Sequence, residues 1–301
     1  MSLTERPLAE TDLDAIMAML HSYDLAYVGE PMMDAEDVLG EWQMPSFELA
    51  RDTLGLVDDD GRLVGYASVD SGGTVEVTTD RELWNGPEEE RLLDHAERHA
   101  AARGITSVRR FVAGADVEGQ ALMRRRGWSE AYTSWVLQLG PDDEIRTREL
   151  PPGYAVRPFA AEDAEEVHRV VAEAFSEWQQ NQRSFEDWHA SVVERPGADS
   201  TRFRVVTFTD PAGGDAPQIV GACVVFDGPE EAWVSQLAVA RDHRHRGLAQ
   251  RLLADTYRGA RERGVARGGL STDSRTGALG LYQRLGMTVF CEYRCFTRTL
   301  A

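Results

Sequence analysis

A chain of 301 residues, 42% hydrophobic and 28% charged, is longer than one hydrophobic core usually organises, so two domains are expected. A net charge of −19 argues against nucleic acid as a partner, because its phosphates would be repelled. No apolar run approaches the roughly 20 residues that span a bilayer, and the opening MSLTERPLAETD lacks the basic-then-apolar layout of a secretory signal. The expectation is a cytoplasmic protein without membrane contact.

Taken in chain order, the elements repeat. Arg6-Pro7-Leu8-Ala9 leads into Asp12 and a helix-periodic stretch through Ile16, Met17 and Leu20; Arg157-Pro158-Phe159-Ala160 leads into Asp163 and a similar stretch through Val167, Val170 and Val171, an offset of 151. Leu63-Val64-Gly65-Tyr66-Ala67 returns as Ile219-Val220-Gly221-Ala222-Cys223, an offset of 156. The helix end Ala101-Ala102-Arg103-Gly104 returns as Arg261-Glu262-Arg263-Gly264, an offset of 160, and Met123 to Trp128 returns as Tyr282 to Met287, an offset of 159. Correspondences in one order with slowly drifting offsets mark a duplicated domain.

Each copy reads as a first helix, then strands, a helix, a strand, a short helix and a final strand. In the second copy, 204–209 and 218–226 form a hairpin through the loop at Gly213 and Gly214. A third strand follows over 233–239, and a helix begins near Leu248 with Leu252, Leu253, Thr256, Tyr257 and Ala260 on its inner face. The predicted fold is mixed α/β: two tandem domains, 1–140 and 154–301, each a mostly antiparallel mixed sheet flanked by helices. A polar, proline-marked linker, 141–153, separates them. Two copies in one chain mimic a dimer, so a monomer or homodimer is expected.

Cys223, Cys291 and Cys295 are too few for a disulfide framework or a zinc site, and His243 and His245 have no further ligand beside them, so no metal is expected. The segment Leu237-Ala238-Val239-Ala240-Arg241-Asp242-His243-Arg244-His245-Arg246-Gly247-Leu248-Ala249-Gln250 says more. A strand ends, a basic turn follows, and a helix opens on small residues. A helix N-terminus presents free N–H groups and the positive end of its dipole to an anion. Gly247 and Ala249 let a pyrophosphate approach the backbone. Arg244 and Arg246 add charge-assisted contacts of roughly 1.5–3 kcal/mol each when well placed.

Arg244-x-x-Gly247-x-Ala249 resembles the acyl-CoA-binding signature of the GNAT acetyltransferase superfamily, and the run Gly277-Ala278-Leu279-Gly280-Leu281-Tyr282-Gln283-Arg284-Leu285-Gly286-Met287 is similar to its second half. The resemblance covers the chain as a tandem, best over 154–299. It implies acetyl-CoA as co-substrate, a carbonyl-polarising backbone N–H near Leu237 to Val239, Ala278 beside the cofactor, and Tyr282 as the general acid for the departing thiolate. Where the family usually carries asparagine this chain has Arg275, with Asp273 and Ser274 beside it to contact the pantetheine arm.

Candidates for the base are Glu230 and Glu231, just before the third strand, which read equally as solvated turn residues. Ser235, placed by alternation on one face with Trp233 and Leu237, can order a water. The first helices supply Phe175, Trp178, Gln179, Asn181, Phe185, Trp188 and His189, readable either as an acceptor pocket or as core. The implied activity is N-acetyl transfer to the primary amine of a small molecule. A mycothiol-synthase-like acetylation of a cysteinyl amino sugar and a non-catalytic acyl-CoA sensor are the alternatives. In the first copy, Trp84, Pro87 and Glu89 stand where Arg244, Gly247 and Ala249 stand in the second, and Met123 replaces Tyr282. That copy is expected to be structural.

Overall fold

The computed structural model describes residues 3–178, 182–213 and 216–300. The first copy contains β1 (Thr4–Arg6), α1 (Leu13–Tyr27), α2 (Ala35–Trp42), α3 (Leu49–Asp52), β2 (Thr53–Val57), β3 (Leu63–Val69), β4 (Val75–Thr79), α4 (Pro87–Ala102), β5 (Ser107–Ala113), α5 (Val117–Arg125) and β6 (Ser129–Leu139). The second contains β7 (Tyr154–Pro158), α6 (Ala164–Phe175), α7 (Phe185–Trp188), β8 (Arg204–Phe208), β9 (Gln218–Asp227), β10 (Glu231–Val239), α8 (Leu248–Glu262), β11 (Arg267–Asp273), α9 (Leu279–Arg284) and β12 (Thr288–Thr299). The fold is mixed α/β, as the residue pattern predicted.

Each copy opens on a short strand rather than on its first helix. The repeated arginine explains why. Arg6 grips Asp12 through two bonds of 2.7 Å, Arg157 grips Asp163 through bonds of 2.6 and 2.8 Å, and each aspartate also accepts the N–H of Ala9 or Ala160 at 2.8 Å. The clamp turns the chain from strand into helix, and the proline beside each arginine ends the strand.

The compact units are not the sequential copies. One comprises the chain up to Thr133 together with the stretch from Cys291 onward, and the other runs Ser134–Phe290. The final strands are exchanged: β6 pairs antiparallel with β11, Leu139 opposite Gly268, whereas β12 pairs antiparallel with β5, Thr299 opposite Ser107. The compact units therefore do not coincide with the boundaries 1–140 and 154–301 expected from the repeat. Nor is 141–153 a free linker. Arg261 donates to the carbonyls of Gly140 (2.9 Å) and Asp143 (2.5 Å), Gln250 to that of Arg146, and Ile145 and Leu150 pack on the core of the second unit.

In the second unit the strands run β6-β11-β10-β9-β8-β7, all neighbours antiparallel except β10 and β11. Helix α8 buries Leu252, Leu253, Thr256, Tyr257 and Ala260, the face its periodicity marks. Each fully buried leucine contributes roughly 1.5–3 kcal/mol. Helix α6 buries Val167, Val170, Val171 and Ala174 in the same core.

Candidate active site

Two backbone features open the second unit's sheet. Strands β10 and β11 are paired only from Glu231–Arg267 to Val234–Leu270, so beyond Val234 strand β10 has no partner on that side. On its other side a β-bulge makes Ser235 an extra residue: Val234 pairs with Val225, but Gln236 pairs with Val224. One inserted residue flips the alternation. Trp233 and Leu237 therefore lie on opposite faces, against the expectation for Trp233, Ser235 and Leu237, and Ser235 is exposed.

Past the bulge lies a cavity of about 480 Å³. Leu237, Ala238 and Val239 form its strand wall; Arg244, His245, Gly247, Leu248, Ala249 and Gln250 form the turn and the start of α8; Ala278 and Tyr282 come from the α9 segment, and Phe175 and Trp178 from the end of α6. Sequence reasoning thus assembled most of one surface from four separated segments. It missed Ala174 and Thr276, which also line the cavity. Thr276 carries no motif. Its hydroxyl accepts the Ala278 N–H (3.1 Å) and so shapes the entry to α9.

The turn is built for close approach. His245 and Gly247 are both left-handed, at φ 62° and 79°, and α8 begins immediately after Gly247 with no side chain capping it. A β-carbon on Gly247, which lines the cavity, would meet no heavy atom within 4 Å. The unfilled N–H groups of the first turn and the helix dipole favour an anion there. Arg244 is fixed by its Nε–H donating to the Val239 carbonyl (3.1 Å). Its guanidinium also bonds Glu177 (3.0 Å) and lies 6.0 Å from the Trp178 ring. That arginine holds the Glu177 carboxyl below its ordinary range. Lining the same turn, His243 hydrogen-bonds the Tyr154 hydroxyl through Nδ1 (2.8 Å), and burial lowers its pKa.

Tyr282 is 8% exposed, and burial, with Cys223 as the second cause, pushes its hydroxyl up to about 12. It stays protonated at any physiological pH and can only give a proton.

Other expected site residues are elsewhere. Glu230 and Glu231 sit at the opposite end of β10 from Leu237, about 20 Å away at ~3.3 Å per residue. Glu230 is exposed beside Arg267 (3.6 Å), and Glu231 lies over Gly269, whose missing side chain makes room for its carboxylate. Arg246 folds back onto the Asp242 carbonyl (2.5 Å) and Arg275 onto Asp273 and the Trp178 carbonyl, so neither lines the cavity; nor does Ser274. Trp188 is core, 2% exposed, and its indole N–H donates to the Gln236 side-chain oxygen at 2.9 Å. Phe185 and His189 pack together beside it, whereas Gln179 and Asn181 lie outside the described residues. Among the described residues no group of three or more metal-ligating side chains comes together. No described helix is long and apolar enough to cross a membrane.

The model of the acetyltransferase (GNAT) family matches residues 164–287, which contain the entire strand, turn and Tyr282 wall of this cavity. None of the curated proteins matches the sequence. Among solved structures, a GCN5-related N-acetyltransferase from Sphaerobacter thermophilus aligns with a TM-score of 0.77 at 25% identity, covering 99% of this chain and 96% of that one. A tandem GNAT protein from the clavulanic acid biosynthesis pathway aligns at 0.73 and 17% identity, covering 100% and 99%. The N-myristoyltransferase of Saccharomyces cerevisiae, solved with bound myristoyl-CoA, aligns at 0.66 and 12% identity, covering 99% and 79%. These last two are likenesses of fold. Family match, full-length structural likeness and cavity agree on an acetyltransferase domain of the GNAT family over residues 164–287.

Proposed function

We propose that the chain transfers the acetyl group of acetyl-CoA directly to the primary amine of a small molecule, using the second unit's cavity alone. The observation that carries this reading is the uncapped start of α8 at left-handed Gly247, opening on the same cavity as Tyr282. The residues suit the co-substrate. A pyrophosphate would lie against the first-turn N–H groups beside Arg244 and His245, and the pantetheine arm along the side of Leu237 to Val239 that faces away from β9, where β11 no longer pairs.

Acetyl-CoA supplies an acyl group already activated as a thioester. Backbone N–H groups past the bulge polarise its carbonyl. Tyr282 donates a proton to the departing thiolate. Its hydroxyl, at about 12, is a weaker acid than the thiol near 8.5 that forms, so the donation alone runs uphill by roughly 5 kcal/mol; the proton released by the newly acylated nitrogen returns to the tyrosinate and completes the transfer. Glu230 and Glu231 are too far along β10 to take the amine proton directly. An alkylamine with pKa near 10.4 costs roughly 4–5 kcal/mol to present neutral at pH 7, so turnover of such amines rises with pH. Phe175 and Trp178 wall the acceptor side with aromatic surface.

The test is calorimetric titration of acetyl-CoA into the full chain and into Gly247→Glu, followed by thiol release on a panel of small amines. One site per chain, lost in the variant, with thiol released by at least one amine, is the expected result. Two sites, or binding untouched by the substitution, would overturn the assignment of the cavity. Binding without thiol release on any amine would overturn the catalytic reading.

A further inference from the structure

The first copy keeps the backbone of the same turn but fills it from within. A 3₁₀ turn, Arg81–Leu83, leads to Trp84 and to left-handed Asn85 (φ 57°), as Arg241–His243 leads to Arg244 and left-handed His245 (φ 62°). The Trp84 indole N–H donates to the Thr79 carbonyl (3.0 Å), where Arg244 donates to that of Val239 (3.1 Å). All three residue pairs are 160 apart, so the two turns superpose residue for residue in role.

What differs is the occupant. The Glu89 side chain, in the first turn of α4, is 5% exposed; one carboxylate oxygen accepts the Asn85 N–H (2.7 Å) and the other accepts from Arg110 (2.7 Å). Arg110, 8% exposed and reaching over from β5, also donates to the Val77 carbonyl of β4 (2.9 Å). Between β4 and β5 the chain makes a single bridge, Thr74–Arg109, and the Arg110 guanidinium spans the strands beyond it. The second copy has Ala249 and Leu270 at the corresponding positions, again 160 residues on, and there the cavity lies open at Ala249.

We infer that Glu89 and Arg110 are a built-in substitute for a ligand, and that the first copy is a latent oxyanion site for a small carboxylate or phosphate once the Glu89 carboxylate is removed. The carboxylate stands at a helix N-terminus with a strand-held guanidinium facing it, the electrostatic setting that favours an anion. Taking the carboxylate away removes the ion-pair partner of Arg110 inside the fold and leaves Glu76 as the remaining carboxyl near it, which is destabilising. A small oxyanion restores the missing charge.

The test is thermal unfolding of the full chain carrying Glu89→Ala, in chloride, acetate and phosphate at equal ionic strength. In chloride the unfolding temperature is expected to fall by roughly 10 °C. Acetate or phosphate should recover at least half of that loss, over and above any shift it gives the unsubstituted chain through the start of α8. The double variant Glu89→Ala/Arg110→Leu, which carries the second copy's residues, should be more stable than Glu89→Ala and respond to the anion no more than the unsubstituted chain does. If Glu89→Ala does not fold in chloride, refolding in acetate reads the same property. An equal loss in all three salts, no loss at all, or a double variant no better than the single one would overturn the inference. Because the readout needs no acyl-CoA, its failure is separate from any failure of the catalytic reading.

Discussion

Gly247→Ala separates the shape of the phosphate turn from its stability. At φ 79° an alanine meets the left-handed penalty of roughly 1–2 kcal/mol, and its β-carbon clashes with nothing, since no heavy atom lies within 4 Å. The chain should fold, with an unfolding temperature lower by about 2–8 °C. On the proposed reading, the same β-carbon would hold a pyrophosphate away from the first-turn N–H groups. Losing one charge-assisted hydrogen bond of about 1.5–3 kcal/mol weakens acetyl-CoA roughly ten- to hundredfold. Calorimetry at 25 °C reads the affinity and thermal unfolding without ligand reads the strain. Gly127→Ala is the control: Gly127 has the same φ of 79°, an equally open β-carbon position, and no place in the cavity. It should show the strain and leave the affinity intact. Acetyl-CoA binding by Gly247→Ala within twofold of the parent chain, or equal weakening by Gly127→Ala, would refute the reasoning.

Tyr282→Phe should lower kcat by about 10²–10⁴ while the Kd for acetyl-CoA, measured calorimetrically, stays within about threefold; a kcat unchanged by the substitution removes the tyrosine from the acid role. Because its hydroxyl sits at about 12, the parent enzyme should show no loss of kcat from tyrosine ionisation up to pH 10. In the first unit, burial raises Glu76 to about 7, Asp24 and Glu89 adding to the rise and Arg110 opposing it. A carboxyl raised in the folded state stabilises fully below its unfolded value near 4.5, and that contribution is lost as pH rises through about 7. The full linkage is at most about 3.4 kcal/mol, and partial solvent access to Glu76 reduces it to about 1–2 kcal/mol. Glu76→Gln should therefore be more stable than the parent at pH 8 and equal or less stable at pH 4.5. Denaturant unfolding showing the same gap at both values would count against the buried carboxyl.

The exchange of final strands decides how any dissection behaves. A chain beginning at residue 141 lacks β6, so β11 loses its antiparallel neighbour and becomes an exposed edge. Its own β12 residues 293–299 would have no β5 to join. Removing the first copy to isolate the proposed active site therefore damages the sheet that carries it, and tests of the cavity belong in the full chain.

What the sequence determined by itself was local or repeated. The turn from Leu237 to Gln250 is contiguous, and its left-handed glycine, small residues and basic side chains are conformational and electrostatic requirements that neighbouring residues meet together. The duplication was legible because the same Arg-Pro, Val-Gly and Arg-Gly punctuation recurs in order. Only the tertiary structure decided the rest. The bulge at Ser235 is one inserted residue, set by pairing with Val224 and Val225, and it overturned the strand-face assignment. Glu231 looked near the chemistry because it stands just before the strand that carries Leu237, but an extended strand spends its length quickly. Trp188 proved to be core, bonded to Gln236 across 48 residues, and Glu89 met Arg110 from a different element. Two final strands of similar pattern fit either sheet in principle. Which edge each one completes is settled by the packing of the whole chain, a long-range choice that no stretch of neighbouring residues encodes.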